Sequence, residues 1–226
     1  MDRLTITRPD DWHLHLRDGE ALAAVVADTA ARFGRAIVMP NLKPPVTTVA
    51  EALAYRERIL AALAARAPGA DFQPLMTLYL TPRTTVADIE AIATSAGAVV
   101  AVKLYPAGAT TNSEAGVTGL DPLDEVFAAM ARCGVPLLIH GESTDAAVDV
   151  FDREAEFVAG PLDRLRQRHE QLKIVLEHIT TAEAAAWVRE AGPHTAATIT
   201  AHHLLLNRNA IFAGGLRPDH YCLPVL

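Results

Sequence analysis

Seven short apolar runs separated by helical patterns limit the fold of this sequence more than any other feature. They are DWHLHL at 11–16, AIVM ending at Met39, PLMTLYL at 74–80, VVAVKLY at 99–105, PLLIH at 136–140, KIVLEHI at 173–179 and TAATIT at 195–200. Most are rich in Val, Ile and Leu and do not alternate strictly with polar residues. That pattern suits strands buried on both faces, as in a parallel sheet.

The intervening segments read as helices. Leu22, Val25, Val26 and Phe33 follow helical spacing, and Gly34 stands where a C-cap glycine would. Thr48 and Glu51 form a capping-box signature ahead of Leu53, Ile59, Leu60 and Leu63. Asp121 and Pro122 read as N-cap and first helical residue, followed by Leu123, Val126, Phe127 and Met130 and stopped by Gly134. Thr180 and Glu183 repeat the capping box before Trp187 and Val188. Strand–helix alternation predicts right-handed βαβ units, in an open doubly wound sheet or a closed barrel. A (β/α)8 barrel takes about 250 residues. The expectation for 226 residues is therefore one domain, 1–226, lacking the eighth strand and the C-terminal helices. The small-residue loop at 107–119 reads as a surface loop or as a lid.

Composition narrows the function. Half the residues are hydrophobic, enough for a sizeable core. The net charge of -7 argues against a nucleic-acid partner. Two distant cysteines, Cys133 and Cys222, suggest a reducing compartment rather than a disulfide framework, and Cys133, before Gly134, reads as structural. The N-terminus turns polar too early for a signal peptide. No run approaches the ~18 apolar residues of a membrane span. A soluble, cytoplasmic protein without membrane or nucleic-acid partners is expected.

The chemistry-bearing residues gather at strand ends. His13 and His15 are two apart on a strand, so both face one side and can meet one metal ion. Two structural histidines are the plainer alternative. Lys103 sits near the end of an apolar run, so it either snorkels out or is held neutral by desolvation. A neutral lysine can add carbon dioxide, and the resulting carbamate can bridge two metals. His140 ends the fifth run and His178 closes the sixth, at the carboxyl edge where barrel sites form. The convergence of these donors on one rim points to a metal centre. Arg17, two beyond His15, could fork onto a carboxylate, and Asn41 could add an amide donor; loop-capping roles compete for both. His202 and His203 suit packing or support of the site. His169, His194 and His220 read as helix or loop positions. Neither GxSxG, a Walker A motif nor GxGxxG is present.

Several longer segments carry a family resemblance: DWHLHLRDG, VMPNLKPP, VKLYPAGATTN, LLIHGE, LEHITT, TAHHLLLNRN and GGLRPDHYCLPVL. Together they resemble the dihydroorotases of the shorter bacterial and fungal type, within the amidohydrolase superfamily, along nearly the whole chain. The resemblance implies two zinc ions per subunit. His13 and His15 would hold the first, His140 and His178 the second, and Lys103, as N6-carboxylysine, would bridge them. It also implies that Arg17 and Asn41 bind the substrate carboxylate, that Thr110 and Thr111 ride on a closing loop, and that Leu223 offers backbone contacts to the pyrimidine ring. The implied reaction interconverts N-carbamoyl-L-aspartate and L-dihydroorotate in pyrimidine synthesis, in a homodimer. The family also carries a strand-eight aspartate, in a segment resembling DSAPH, that ligates the first zinc and moves protons. No residue here matches it, and Asp219, before CLPVL, does not replace it. The expectation is a C-terminally truncated chain with its catalytic acid–base unassigned. A hydantoinase-like ring opener and a non-catalytic scaffold are the alternatives.

Overall fold

The computed structural model describes residues 3–225; Met1, Asp2 and Leu226, the last residue of CLPVL, lie outside it. Seven strands form one sheet: β1 (Asp11–Leu14), β2 (Arg35–Val38), β3 (Gln73–Tyr79), β4 (Val99–Leu104), β5 (Leu137–His140), β6 (Ile174–Glu177) and β7 (Thr195–Ala197). They lie in sequence order, and every neighbouring pair is parallel. The expected α/β architecture is therefore present, and among the described residues β1 and β7 each pair on one side only.

The sheet is curled. Strands lie about 4.8 Å apart, so in a flat sheet β1 and β6 would be roughly 24 Å apart. Yet His13 Nδ1 on β1 lies 2.9 Å from Glu177 Oε1 on β6. The inner face is a small apolar cluster of Met39, Ala101 and Leu138, with Ile37 and Val175 packed on it. The outer face carries the main core, against α1 (Gly19–Ala30), α2 (Val49–Arg66), α3 (Val86–Ala91) and α4 (Asp124–Cys133). Further along come α5 (Arg153–Phe157), α6 (Asp163–Arg168), α7 (Ala182–Glu190) and α8 (Ala201–Leu205). A single π turn at Val158–Leu162, holding Pro161, joins α5 to α6.

Local signals were partly right. The Thr48–Glu51 capping box is present at α2, and Gly134 closes α4 in the left-handed region. Five expectations need correction. Helix α1 stops at Ala30 with Ala31 as its cap, and the Gly34 N–H goes to the Pro9 carbonyl at 2.9 Å rather than back to the helix. Asp121–Leu123 is a 3-10 turn without a side-chain cap, and α4 starts at Asp124. The cap of α7 is Thr181, one residue later than expected. Val25 and Leu53 are exposed; the buried faces run through Leu22 and Val26 on α1 and through Ala52, Tyr55, Ile59 and Leu63 on α2. Both cysteines are free and exposed, so Cys133 has no packing role. No described helix is long and apolar enough to cross a membrane.

Candidate active site

Side chains two apart on a strand share a face. The inward residues can therefore be followed from the inner apolar cluster to the carboxyl rim. On β4 the column runs Ala101, Lys103, Tyr105; on β5 it runs Leu138, His140, Glu142; on β6 it runs Val175, Glu177. Beyond β2 it runs Ile37, Met39, Asn41. The sheet register sets Lys103 beside Tyr79 and Leu138, and His140 beside Glu177. The same columns that pack the barrel interior thus deliver polar groups to its mouth.

His178 breaks the alternation. Following inward Glu177, a regular strand would turn it outward. Its φ of 45° lies in the left-handed region, which is costly for a residue with a Cβ. That turn brings it inward: its ring centroid lies 5.1 Å from that of His13 and 4.8 Å from that of His140. The Thr198 hydroxyl braces it by accepting its backbone N–H at 2.8 Å.

The predicted ligands meet at one rim. His13 and His15 point their Nε2 atoms at each other, 3.0 Å apart. That spacing suits two nitrogens each at ~2.0–2.1 Å from one zinc ion. His13, Glu177 and His178 form a group of three donors whose ligand atoms all lie within 4.8 Å of one another. His15 and His140 fall outside that trio. His140 Nε2 contacts the Glu142 carboxylate, and both residues are buried. Lys103 does not snorkel: its side chain is wholly buried and donates to Glu177 Oε2.

Several buried polar atoms have no hydrogen-bond partner. They include His15 Nδ1, His178 Nδ1, Glu177 Oε1, Arg17 Nη1, Asn41 Oδ1 and the Tyr105 hydroxyl. The 2.9 Å approach of His13 Nδ1 to Glu177 Oε1 is not aligned as a hydrogen bond, so proximity alone joins them. Orphaned buried groups are costly in a native fold. A cluster of them facing one space, with imidazole and carboxylate donors, fits a bound metal ion.

Burial sets the protonation states. Burial, then the neighbouring His13 and Arg17, push His15 down to about 3. Burial, then Lys103 and His140, also hold His178 well below its usual range, and burial lowers His140 against the pull of Glu142. Burial thus favours the neutral imidazole, the form that ligates metal, at His15, His140 and His178. Burial lowers Lys103 despite Glu177. Burial would raise Glu177, but Lys103 and His13 outweigh it and keep the carboxylate ionised.

A cleft of about 460 Å³ opens above these groups and is also lined by Arg17, Asn41, Thr110, Thr111, His202 and Leu223. Arg17 reaches it by a different route from the one expected. β1 ends at Leu14, and Arg17 sits in a left-handed turn (φ 58°) whose carbonyl accepts the Tyr55 hydroxyl at 2.5 Å. The 107–119 loop is tied to Asn41 through its middle, at Thr111 and Asn112. Asn41 Nδ2 donates to the Thr111 carbonyl at 3.0 Å, and Asn112 Nδ2 donates to the Asn41 carbonyl at 2.9 Å. Gly116 permits the fit, since a Cβ there would lie 2.3 Å from the Tyr105 carbonyl oxygen. His203 supports the rim, with Nδ1 2.5 Å from the Thr200 hydroxyl and Nε2 3.1 Å from the Pro224 carbonyl. Sequence reading missed Glu177, Glu142 and Tyr105. The two-residue column could have found Tyr105 and Glu142; Glu177 was visible only as a carboxylate inside an apolar run.

The amidohydrolase family model matches residues 10–225. This chain belongs to the amidohydrolase family. Among curated proteins, this family member is 64% identical to a dihydroorotase of Azoarcus sp. (strain BH72), over all of this chain and 64% of that protein. The chain therefore spans about 64% of the length of that relative. A crystal structure of dihydroorotase from Campylobacter jejuni superposes with a TM-score of 0.86 at 36% identity, covering 96% of this chain and 61% of that one. An L-hydantoinase from Arthrobacter aurescens shares the fold alone, with a TM-score of 0.71 at 15% identity over 91% of this chain and 49% of that one. The amidohydrolase chain described here is thus a curled part of the barrel fold, with the resemblance to dihydroorotases borne out.

Proposed function

We propose that the whole protein interconverts N-carbamoyl-L-aspartate and L-dihydroorotate at a two-zinc centre. The observation that carries this reading is the meeting of His13, His15, His140, His178 and Lys103 at one rim, in a chain 64% identical to a dihydroorotase. In this reading His13 and His15 would hold one ion, His140 and His178 the other, and carboxylated Lys103 would supply an oxygen ligand to each. Zinc, when bound, supplies Lewis acidity and a water activated near neutral pH.

The chain's own residues do the rest. Carboxylation of Lys103 needs its neutral amine, which adds to carbon dioxide and releases a proton. Burial favours that amine. Deprotonation and carboxylation remove the ammonium that contacts Glu177, so that ion pair is lost when the carbamate forms. Arg17 holds a buried, unpartnered Nη1 at the cleft, suited to one oxygen of a substrate carboxylate. Asn41 contributes its amide to the same carboxylate. Thr110 and Thr111 close over the ring, and Leu223 meets it through its backbone. The general acid–base belongs to none of these residues.

One domain over 1–226, a homodimeric assembly and a cytoplasmic location complete the reading. The continuous sheet supports the first, the resemblance to dihydroorotases the second, and two exposed free cysteines the third. The test is to purify the full natural polypeptide with zinc and assay dihydroorotate hydrolysis beside that of an uncarboxylated hydantoin. Selective turnover of dihydroorotate is expected; equal turnover of the hydantoin, or none of either, refutes the proposal.

A further inference from the structure

His178 reaches the metal rim only because its backbone leaves the strand alternation, so something must hold that turn. One support is local, the Thr198 hydroxyl on the His178 N–H. The other comes from outside the sheet. Glu154, on α5, is buried and points its carboxylate at the chain immediately after His178. Its Oε1 accepts the Thr180 N–H at 2.9 Å, the Thr181 N–H at 2.8 Å and the Thr181 hydroxyl at 2.7 Å. Its Oε2 also accepts the Thr180 N–H, at 3.1 Å. The Thr181 hydroxyl in turn caps α7 by accepting the Ala184 N–H at 3.2 Å. The expected capping-box carboxylate, Glu183, is thus replaced by one from a different helix.

Helix α5 is itself tied to the loop that follows His140, because the Ser143 N–H donates to the Arg153 carbonyl at 2.9 Å. Glu154 therefore spans the two strand ends that carry His140 and His178. We infer that Glu154 is a positioning residue that fixes His178 relative to His140, and through them the second metal of the pair. This rests on the two-metal reading, but the clamp itself is visible without metal.

The test uses the full-length protein with Glu154→Ala, Glu154→Gln and Thr181→Val. Amide hydrogen exchange on the metal-free proteins reads the clamp directly. Protection of the His178 amide is expected to fall in Glu154→Ala, although that amide's own acceptor, Thr198, is untouched. Competitive zinc titration against a chelator then reads the consequence. One of the two ions should lose about 10-fold or more in affinity in Glu154→Ala while the other is unchanged. Glu154→Gln keeps one acceptor oxygen and should recover most of the loss. Unchanged His178 protection overturns the inference, as does an equal loss for both ions with a matching fall in metal-free Tm. If Glu154→Ala does not fold, the same selective loss is required of Thr181→Val, and its absence overturns the inference equally. A wild-type protein that binds no zinc overturns the metal reading, while the exchange data still decide the clamp.

Discussion

Lys103 and Glu177, from neighbours-but-one in the sheet, bury their opposite charges against each other with no exposed side-chain surface on either. Removing one member of such a pair leaves an uncompensated charge, which costs about 3–5 kcal/mol, whereas apolar replacement of both is often neutral. Lys103→Ala should therefore destabilise the metal-free protein by about that amount, and Lys103→Met with Glu177→Leu should recover most of it. Urea denaturation of the single and double variants checks this. A double variant as unstable as the single one would show that the pair is not the source.

Acid should unfold the metal-free protein earlier than its carboxylates would dictate. His15, His140, His178 and His203 all have folded pKa values lowered chiefly by burial, His15 to about 3. Between that range and the unfolded value of about 6.5 the unfolded chain binds more protons, so stability rises with pH. It is fully present above about 6.5 and drains away as the pH falls. Denaturant midpoints at about pH 7.5 and pH 5.5 should differ measurably in the absence of metal, and the gap should shrink in His15→Ala.

Gly116→Ala should damage the loop without emptying the metal centre. The new methyl would lie 2.3 Å from the Tyr105 carbonyl oxygen and 2.9 Å from that of Ser113, both rigid backbone atoms. The base of the loop must lift, at about 1–3 kcal/mol. In the full-length protein KM should rise by about an order of magnitude if closure over substrate depends on that base, with zinc content unchanged. A lowered zinc content with normal KM would place the damage elsewhere.

Chelation should lower thermal stability reversibly. A ligand at about 1,000 times its Kd stabilises the fold by about 4 kcal/mol per site. Calorimetry before and after chelator treatment, and again after zinc addition, should show a fall and its recovery; an unmoved Tm would argue against a preformed metal centre.

Much of the site was legible because barrel interiors obey a period of two. His13 and His15, and the strand-end positions of Lys103 and His140, follow from that period and from apolar runs alone. His178 was named from its place at a strand end, but its orientation could not be read: it lies out of phase and reaches the rim through a left-handed turn. His15 and Arg17 were expected to extend the β1 alternation, yet the strand ends at Leu14, before both; His15 still meets His13, while Arg17 reaches the cleft through a left-handed turn. Glu154 was invisible for another reason. It replaces a capping residue that the local sequence already offered in Glu183, and only the packing of α5 against the loop after β6 reveals the substitution.

The closeness of His13 to Glu177 has a kinetic side. These residues come from the first and sixth strands, so their meeting closes a loop through most of the described chain. Each doubling of such a loop adds only about 0.6 kcal/mol of closure entropy, but that cost must be met before the contact gives anything back. Local βα units can form early; the donor trio of His13, Glu177 and His178 assembles only once the sheet has curled through six strands. Capture of the proposed zinc pair, which needs His13 and His178 side by side, would mark the completion of folding rather than begin it.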